Sequence, residues 1–131
     1  MASIFLEKVW KRYGAVEAVR NLSLDCPDGQ LLALLGPSGC GKTSTLKMIA
    51  GIESVSEGEL FFGGRPVSGL DPAARNVAMV FEDYALYPHL TVAQNIAFPL
   101  EVRRRPVAEI RRAVGDALVL LGLETLGDVN V

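Results

Sequence analysis

Gly36-Pro37-Ser38-Gly39-Cys40-Gly41-Lys42-Thr43 places a glycine, four further residues and then Gly-Lys-Thr. No other stretch restricts the fold of this chain so strongly. The spacing is that of a phosphate-cradling loop between a strand and a helix. Its surroundings agree. Ahead of it, Gln30-Leu31-Leu32-Ala33-Leu34-Leu35 is a short apolar run suited to a strand buried on both faces. Behind it, Leu46, Ile49 and Ala50 recur at helical spacing, and Gly51 stands where a helix stops.

The glycines let the backbone turn tightly and point successive N–H groups at an anion. A helix opening near Lys42 adds unpaired N–H groups and the positive end of its dipole. In such a loop Lys42 reaches the β- and γ-phosphates and the Thr43 hydroxyl binds Mg²⁺.

With 131 residues, the chain has room for one domain with a real core. It is 50% hydrophobic with a formal net charge of −2, so the basic excess of a nucleic-acid surface is missing and no nucleic-acid partner is expected. No apolar stretch approaches the ~20 residues that span a bilayer. Met1-Ala2-Ser3-Ile4 lacks the features of a secretory signal. Cys26 and Cys40 make no disulfide framework, which favours a reducing compartment and a soluble, cytoplasmic chain.

Taken in order, residues 4–9 read as a strand running to the basic and aromatic tip Lys11-Arg12-Tyr13-Gly14. Residues 16–26 return as a second strand, and Pro27-Asp28-Gly29 is a turn. Glu59-Leu60-Phe61-Phe62 is a strand between glycine turns, residues 66–75 are loop-like, and residues 77–81 form a second core strand. Thr91-Val92-Ala93-Gln94 has capping-box spacing, and a longer helix starts at Pro106 and ends at Gly122. Its stripe of Val107, Ile110, Val114, Leu118 and Leu121 is expected in the core. By spacing alone, Tyr13 is either an ordinary half-buried aromatic or a ring that stacks on a base.

Two readings compete for residues 77–83. An apolar strand ending in Glu82-Asp83 fits a metal-binding strand, and with it a small phosphate-loop kinase or GTPase-like enzyme. Against this, the arginines an acceptor site needs fall mainly in the late helical region.

The second reading rests on three motifs that stand in order. They are Lys11-Arg12-Tyr13-Gly14, the loop extended through Ser44-Thr45-Leu46, and Val80-Phe81-Glu82-Asp83-Tyr84-Ala85-Leu86-Tyr87-Pro88-His89-Leu90-Thr91-Val92. Together they resemble the first half of the ATP-binding subunit of an ABC transporter, nearest to bacterial carbohydrate importers of the maltose and glycerol-phosphate type. The resemblance covers essentially the whole chain. It implies an α/β phosphate-loop fold with an antiparallel β entry and a truncated helical subdomain, the core in residues 1–90 and the helical part in 91–131.

The resemblance also implies roles. Tyr13 matches the aromatic that stacks on adenine, with Ala18 and Val19 packed nearby. Gly36, Pro37, Ser38, Gly39, Cys40, Gly41, Lys42, Thr43 and Ser44 hold the nucleotide, and Thr43 and Glu82 face Mg²⁺. Tyr84, Ala85, Leu86, Tyr87, Pro88 and His89 meet a membrane-spanning subunit. Partners are then the transmembrane subunits of an importer and a second ATP-binding subunit, at the inner face of the bacterial membrane.

Two departures qualify this. Glu82 stands where the family usually has glutamine, adding negative charge near the γ-phosphate. The chain also stops at Val131, before the family's Leu-Ser-Gly-Gly-Gln signature, its catalytic glutamate and its switch histidine. Nucleotide binding without turnover is therefore expected. A docking module without useful ATP affinity is the alternative.

Overall fold

The computed structural model describes residues 2–131. They form two compact units, one reaching to Met79 and the other spanning Val80–Val131.

The first unit is built on β1 (Ile4–Tyr13), β2 (Val16–Cys26), β3 (Glu57–Phe62) and β4 (Arg65–Pro66). They form one antiparallel sheet in the order β2-β1-β3-β4. Tyr13 pairs with Val16 across a two-residue turn whose first position, Gly14, has φ 59°. A turn of that kind carries the twist that a hairpin needs. β1 bulges near Lys8, and there β3 approaches so closely that a methyl on Gly58 would overlap the Glu7 and Lys8 carbonyl oxygens.

Helix α1 (Lys42–Ala50) lies against this sheet through Met48. Leu6, Val9, Val19, Met48, Leu60 and Val67 are the buried cluster. Full burial of a side chain such as Leu6, Met48 or Leu60 stabilises by roughly 1.5–3 kcal/mol. The helix ends as its glycine requires. Gly51 has φ 81° and donates to the Met48 carbonyl, while Ile52 N–H reaches the Lys47 carbonyl, a Schellman cap.

Residues 66–75, read as loop, are mostly that, with a 3-10 turn at Pro72–Ala74. They also contribute two buried residues that the sequence did not announce, Val67 and Arg75. The Arg75 guanidinium donates to the carbonyls of Met48, Ile49, Ser68 and Leu70 at 2.7–3.2 Å. It thus satisfies carbonyls at the end of α1, which no residue within that helix can do.

Two expectations fail. Residues 30–35 are not a strand, and Leu31 and Leu35 are 98% and 91% exposed. Residues 77–81 are not a strand either, and Val80 is 83% exposed. The cause is the same in both places. An apolar run becomes a strand only when a neighbour pairs its N–H and C=O groups, and none of the described strands pairs with these runs.

The second unit holds α2 (Val92–Val102) and α3 (Val107–Leu121), which pack on each other. The capping box is present: Thr91 Oγ1 accepts from Gln94 N–H, and the Gln94 side chain accepts from Thr91 N–H. Pro106 is the residue before the first turn of α3 rather than part of it, and Gly122 closes the helix with φ 66°. The apolar stripe is only partly core. Ile110, Val114 and Leu118 are half-buried, while Val107 and Leu121 are more than 60% exposed.

Candidate phosphate-binding loop and its surroundings

The loop at residues 36–41 is held from behind by β2. Gly41, with φ 91°, precedes α1, and a methyl there would overlap the Ala18 carbonyl oxygen and press Val19. Thr45, 3% exposed, donates its hydroxyl to the Gly41 carbonyl at 2.9 Å and ties the first turn of α1 to the loop. An open cleft of about 660 Å³ runs along Ala18, Val19 and Leu34 to Gly39 and Lys42.

The N-terminus of α1 has no side-chain cap and no acidic residue in its first turn. The contrast with α2, which supplies its own capping box, is chemical. A first turn without a cap leaves N–H donors directed outward, the arrangement that binds an anion. The Lys42 ammonium folds over the loop, donating to the Gly36 and Pro37 carbonyls at 2.7 Å each and contacting Cys40 Sγ at 3.4 Å. Loop carbonyls and a cation share one point, so the positive charge is already held over the loop.

Of the residues expected around a nucleotide, Ala18, Val19, Gly39, Cys40, Gly41 and Lys42 line one cleft. Gly36 and Pro37 touch it through the lysine, Thr43 and Ser38 are exposed, and Ser44 is half-buried. Tyr13 is 44% exposed and stands at the end of β1, opposite Val16. From Val16 to Ala18 is two residues of strand, ~7 Å.

Tyr13 has company that its position in the sequence did not announce. The Lys11 ammonium lies 4.8 Å from its ring centre. Lys11 is 5% exposed, pairs with Glu53 at 2.9 Å and donates to the Ser54 carbonyl at 2.8 Å. The Lys11 hydrogen bond chiefly, its charge and that of Lys47, and a hydrogen bond with Tyr13 hold the Glu53 carboxyl below the usual carboxylate range, against the opposing effect of burial. One signal was available. Lys11 follows Val9 at strand spacing, so a charge sits on the inward face.

Glu82 is exposed in the second unit. The segment after it is shaped by Tyr84 and Ala85, both in the left-handed region at φ 60° and 49°. Tyr87 is fixed twice. Its ring packs on Phe98 at 4.5 Å, and Asn95 accepts from its N–H and donates to its carbonyl. His89 meets the same ring edge-on at 6.1 Å. Tyr84 and Leu86 are 75% and 54% exposed, and Ala85, Pro88 and His89 are exposed as well.

Among the described residues no group of three or more His, Cys, Asp or Glu side chains could hold a metal. Mg²⁺ bound with a triphosphate keeps several waters and takes only one or two protein ligands beside phosphate oxygens. The exposed Thr43 hydroxyl in the first turn of α1 is a donor of the right kind. No helix among the described residues is long and apolar enough to cross a membrane.

The family model described as ABC transporter matches residues 19–131. The chain is 51% identical over 132 residues to the trehalose/maltose import ATP-binding protein MalK of Thermococcus litoralis, covering 96% of the chain and 36% of that protein. It is 48% identical to the sn-glycerol-3-phosphate import ATP-binding protein UgpC of Rhizobium meliloti, covering 98% and 37%. The osmoprotective compounds uptake ATP-binding protein GgtA of Synechocystis is also 48% identical, with 96% and 35% covered. The chain thus spans about a third of the length of the curated relatives it matches. A dimeric structure of the ATP-binding cassette MJ0796 with ADP and Pi superposes with a TM-score of 0.82 at 26% identity, over 97% of this chain and 61% of that one.

Proposed function

The chain belongs to the ABC transporter family, and from that membership we propose that it binds Mg·ATP as part of the ATP-binding subunit of an importer. The observation that carries the proposal is the uncapped start of α1 behind a loop over which Lys42 holds its charge. The relatives named above serve uptake of sugars, glycerol phosphate and osmoprotective compounds. A carbohydrate or polyol-like solute is therefore the proposed cargo of the whole transporter. Its partners are proposed to be transmembrane subunits and a second ATP-binding subunit, at the cytoplasmic face of a membrane.

The residues divide the work. Loop N–H groups and the first turn of α1 bind the phosphates, and the Lys42 ammonium turns from the Gly36 and Pro37 carbonyls to phosphate oxygens. Thr43, and by sequence position Glu82, are the proposed oxygen donors to Mg²⁺, which when bound neutralises phosphate charge. Tyr13 is the proposed platform for the base, with Ala18 and Val19 forming the strand wall beside it. Tyr84, Ala85, Leu86, Tyr87, Pro88 and His89 are the proposed contact with a transmembrane subunit. Residues 1–90 are the proposed nucleotide-binding and β part, and 91–131 the start of the helical part. The proposed activity of these residues is nucleotide binding.

Calorimetric titration with Mg·ATP tests the reading. Saturable binding that Lys42→Ala weakens at least about tenfold is expected. No binding, or binding indifferent to Lys42, overturns it.

A further inference from the structure

Lys11 carries a charge where the fold wants none. It lies on the inward face of β1, two residues beyond Val9, and is 5% exposed. An apolar side chain would fill that position without the desolvation that an ammonium suffers. What the ammonium does there is specific. It reaches the Ser54 carbonyl, pairs with Glu53 and presents itself to the Tyr13 ring. Lys11 therefore links Glu53 on one side to the Tyr13 ring on the other. Of the three the lysine is the most buried and the ring the most open, at 44%.

A cation beside an exposed ring restricts it, because surface tyrosines rotate freely unless something holds them. The ammonium also acts on the ring electronically. A cation near an aromatic ring is held by its negative quadrupole and draws that density toward itself. The ring then presents a less electron-rich surface to a second, electron-rich ring stacked on it.

We propose that Lys11 is a positioning residue that fixes Tyr13 as a platform for a nucleotide base, so that the site prefers a nucleoside triphosphate over a bare polyphosphate. The proposal rests on the reading that loop 36–43 binds phosphate. Its ligand class is an aromatic-base nucleoside triphosphate, and its action is on the base alone.

The test is equilibrium titration of the 131-residue chain with Mg·ATP and, separately, with Mg·tripolyphosphate, which has the phosphates and no base. The variants are Lys11→Met, Lys11→Arg, Tyr13→Leu and the double variant Lys11→Met/Tyr13→Leu. Lys11→Met is expected to weaken ATP binding about three- to tenfold and to change tripolyphosphate binding by less than about twofold. Lys11→Arg, which keeps a cation beside the ring, restores most of the ATP affinity. In the Tyr13→Leu background, Lys11→Met costs nothing further. Should Lys11→Met fail to fold, Glu53→Gln removes the ion pair that holds Lys11 beside the ring and is expected to shift the ATP-to-tripolyphosphate ratio in the same direction.

Equal losses for both ligands, or none for ATP, overturn the inference and leave Lys11 a plain structural ion pair. Wild-type chain that binds tripolyphosphate as tightly as ATP overturns it while sparing the phosphate site. Wild-type chain that binds neither overturns the phosphate reading, and the inference with it.

Discussion

Arg75 Nη1 donates to the Met48 carbonyl at 2.7 Å, so a residue 27 positions away finishes the helix that begins at Lys42. Burial pulls the Arg75 guanidinium below its ordinary value, while the Glu59 charge pulls it up. It remains a cation with four carbonyl partners.

Arg75→Ala should therefore destabilise the chain by about 2–3 kcal/mol, because buried carbonyls lose a charged donor and gain no water. Arg75→Lys should recover only part of this, since one ammonium cannot reproduce a planar fork. Urea unfolding of the three proteins measures it. Stability within about 0.5 kcal/mol of wild type for Arg75→Ala contradicts the clamp.

Gly41→Ala should remove nucleotide binding without unfolding β1 and β2. The new methyl has no room beside the Ala18 carbonyl, and φ 91° is strained for any side chain, so the loop must leave its seat. Titration should show at least about tenfold weaker Mg·ATP binding, with the far-ultraviolet spectrum of the sheet retained. Unchanged affinity would mean the loop does not need its contact with β2.

Acid should weaken the first unit through Glu59. Its hydrogen bond with Ser68 first, then the Leu60 and Ser68 N–H groups and the Arg75 charge, hold this carboxyl below its ordinary value, while burial opposes them. A depressed folded-state value stabilises above the unfolded one, and that contribution disappears as pH falls through the folded value. The melting temperature should change little from pH 7 to about 5 and fall below about pH 4. Glu59→Gln should melt lower at pH 7 and show a shallower acid fall. Parallel curves for the two proteins would remove Glu59 from the account.

The exposed run at residues 30–35 should drive self-association. Leu31 and Leu35 stand almost fully in water on unpaired backbone, the combination that recruits another chain. Sedimentation should show mass rising with concentration, and Leu31→Lys with Leu35→Lys together should shift it toward monomer. A monodisperse wild-type monomer at all concentrations contradicts this.

The parts legible in the sequence are those whose signal is local. Thr91 with Gln94, Gly51, Gly122 and the Tyr13-to-Val16 turn each carry their own geometry within a few residues, and each appears where expected. The start of α1 after Gly41 is legible for the same reason. The runs at 30–35 and 77–81 are not, because apolar composition records a demand for burial and not the presence of a neighbour to meet it. Arg75 and Lys11 escaped for a third reason. Their partners lie 27 and more than 40 residues away, and a charge looks like surface until its partner is known.

The uncapped first turn of α1 makes that helix a conditional element. α2 carries its own donors and acceptors at its start, whereas α1 leaves its first N–H groups to whatever anion arrives. A ligand that binds only the folded loop shifts the folding equilibrium by about 2.7 kcal/mol at a hundred times its dissociation constant. Amide exchange along α1 should then slow as nucleotide is added, while α2 exchanges at a fixed pace. For a chain that binds Mg·ATP as proposed, the ATP concentration in the surrounding solution sets how long this one helix stays wound.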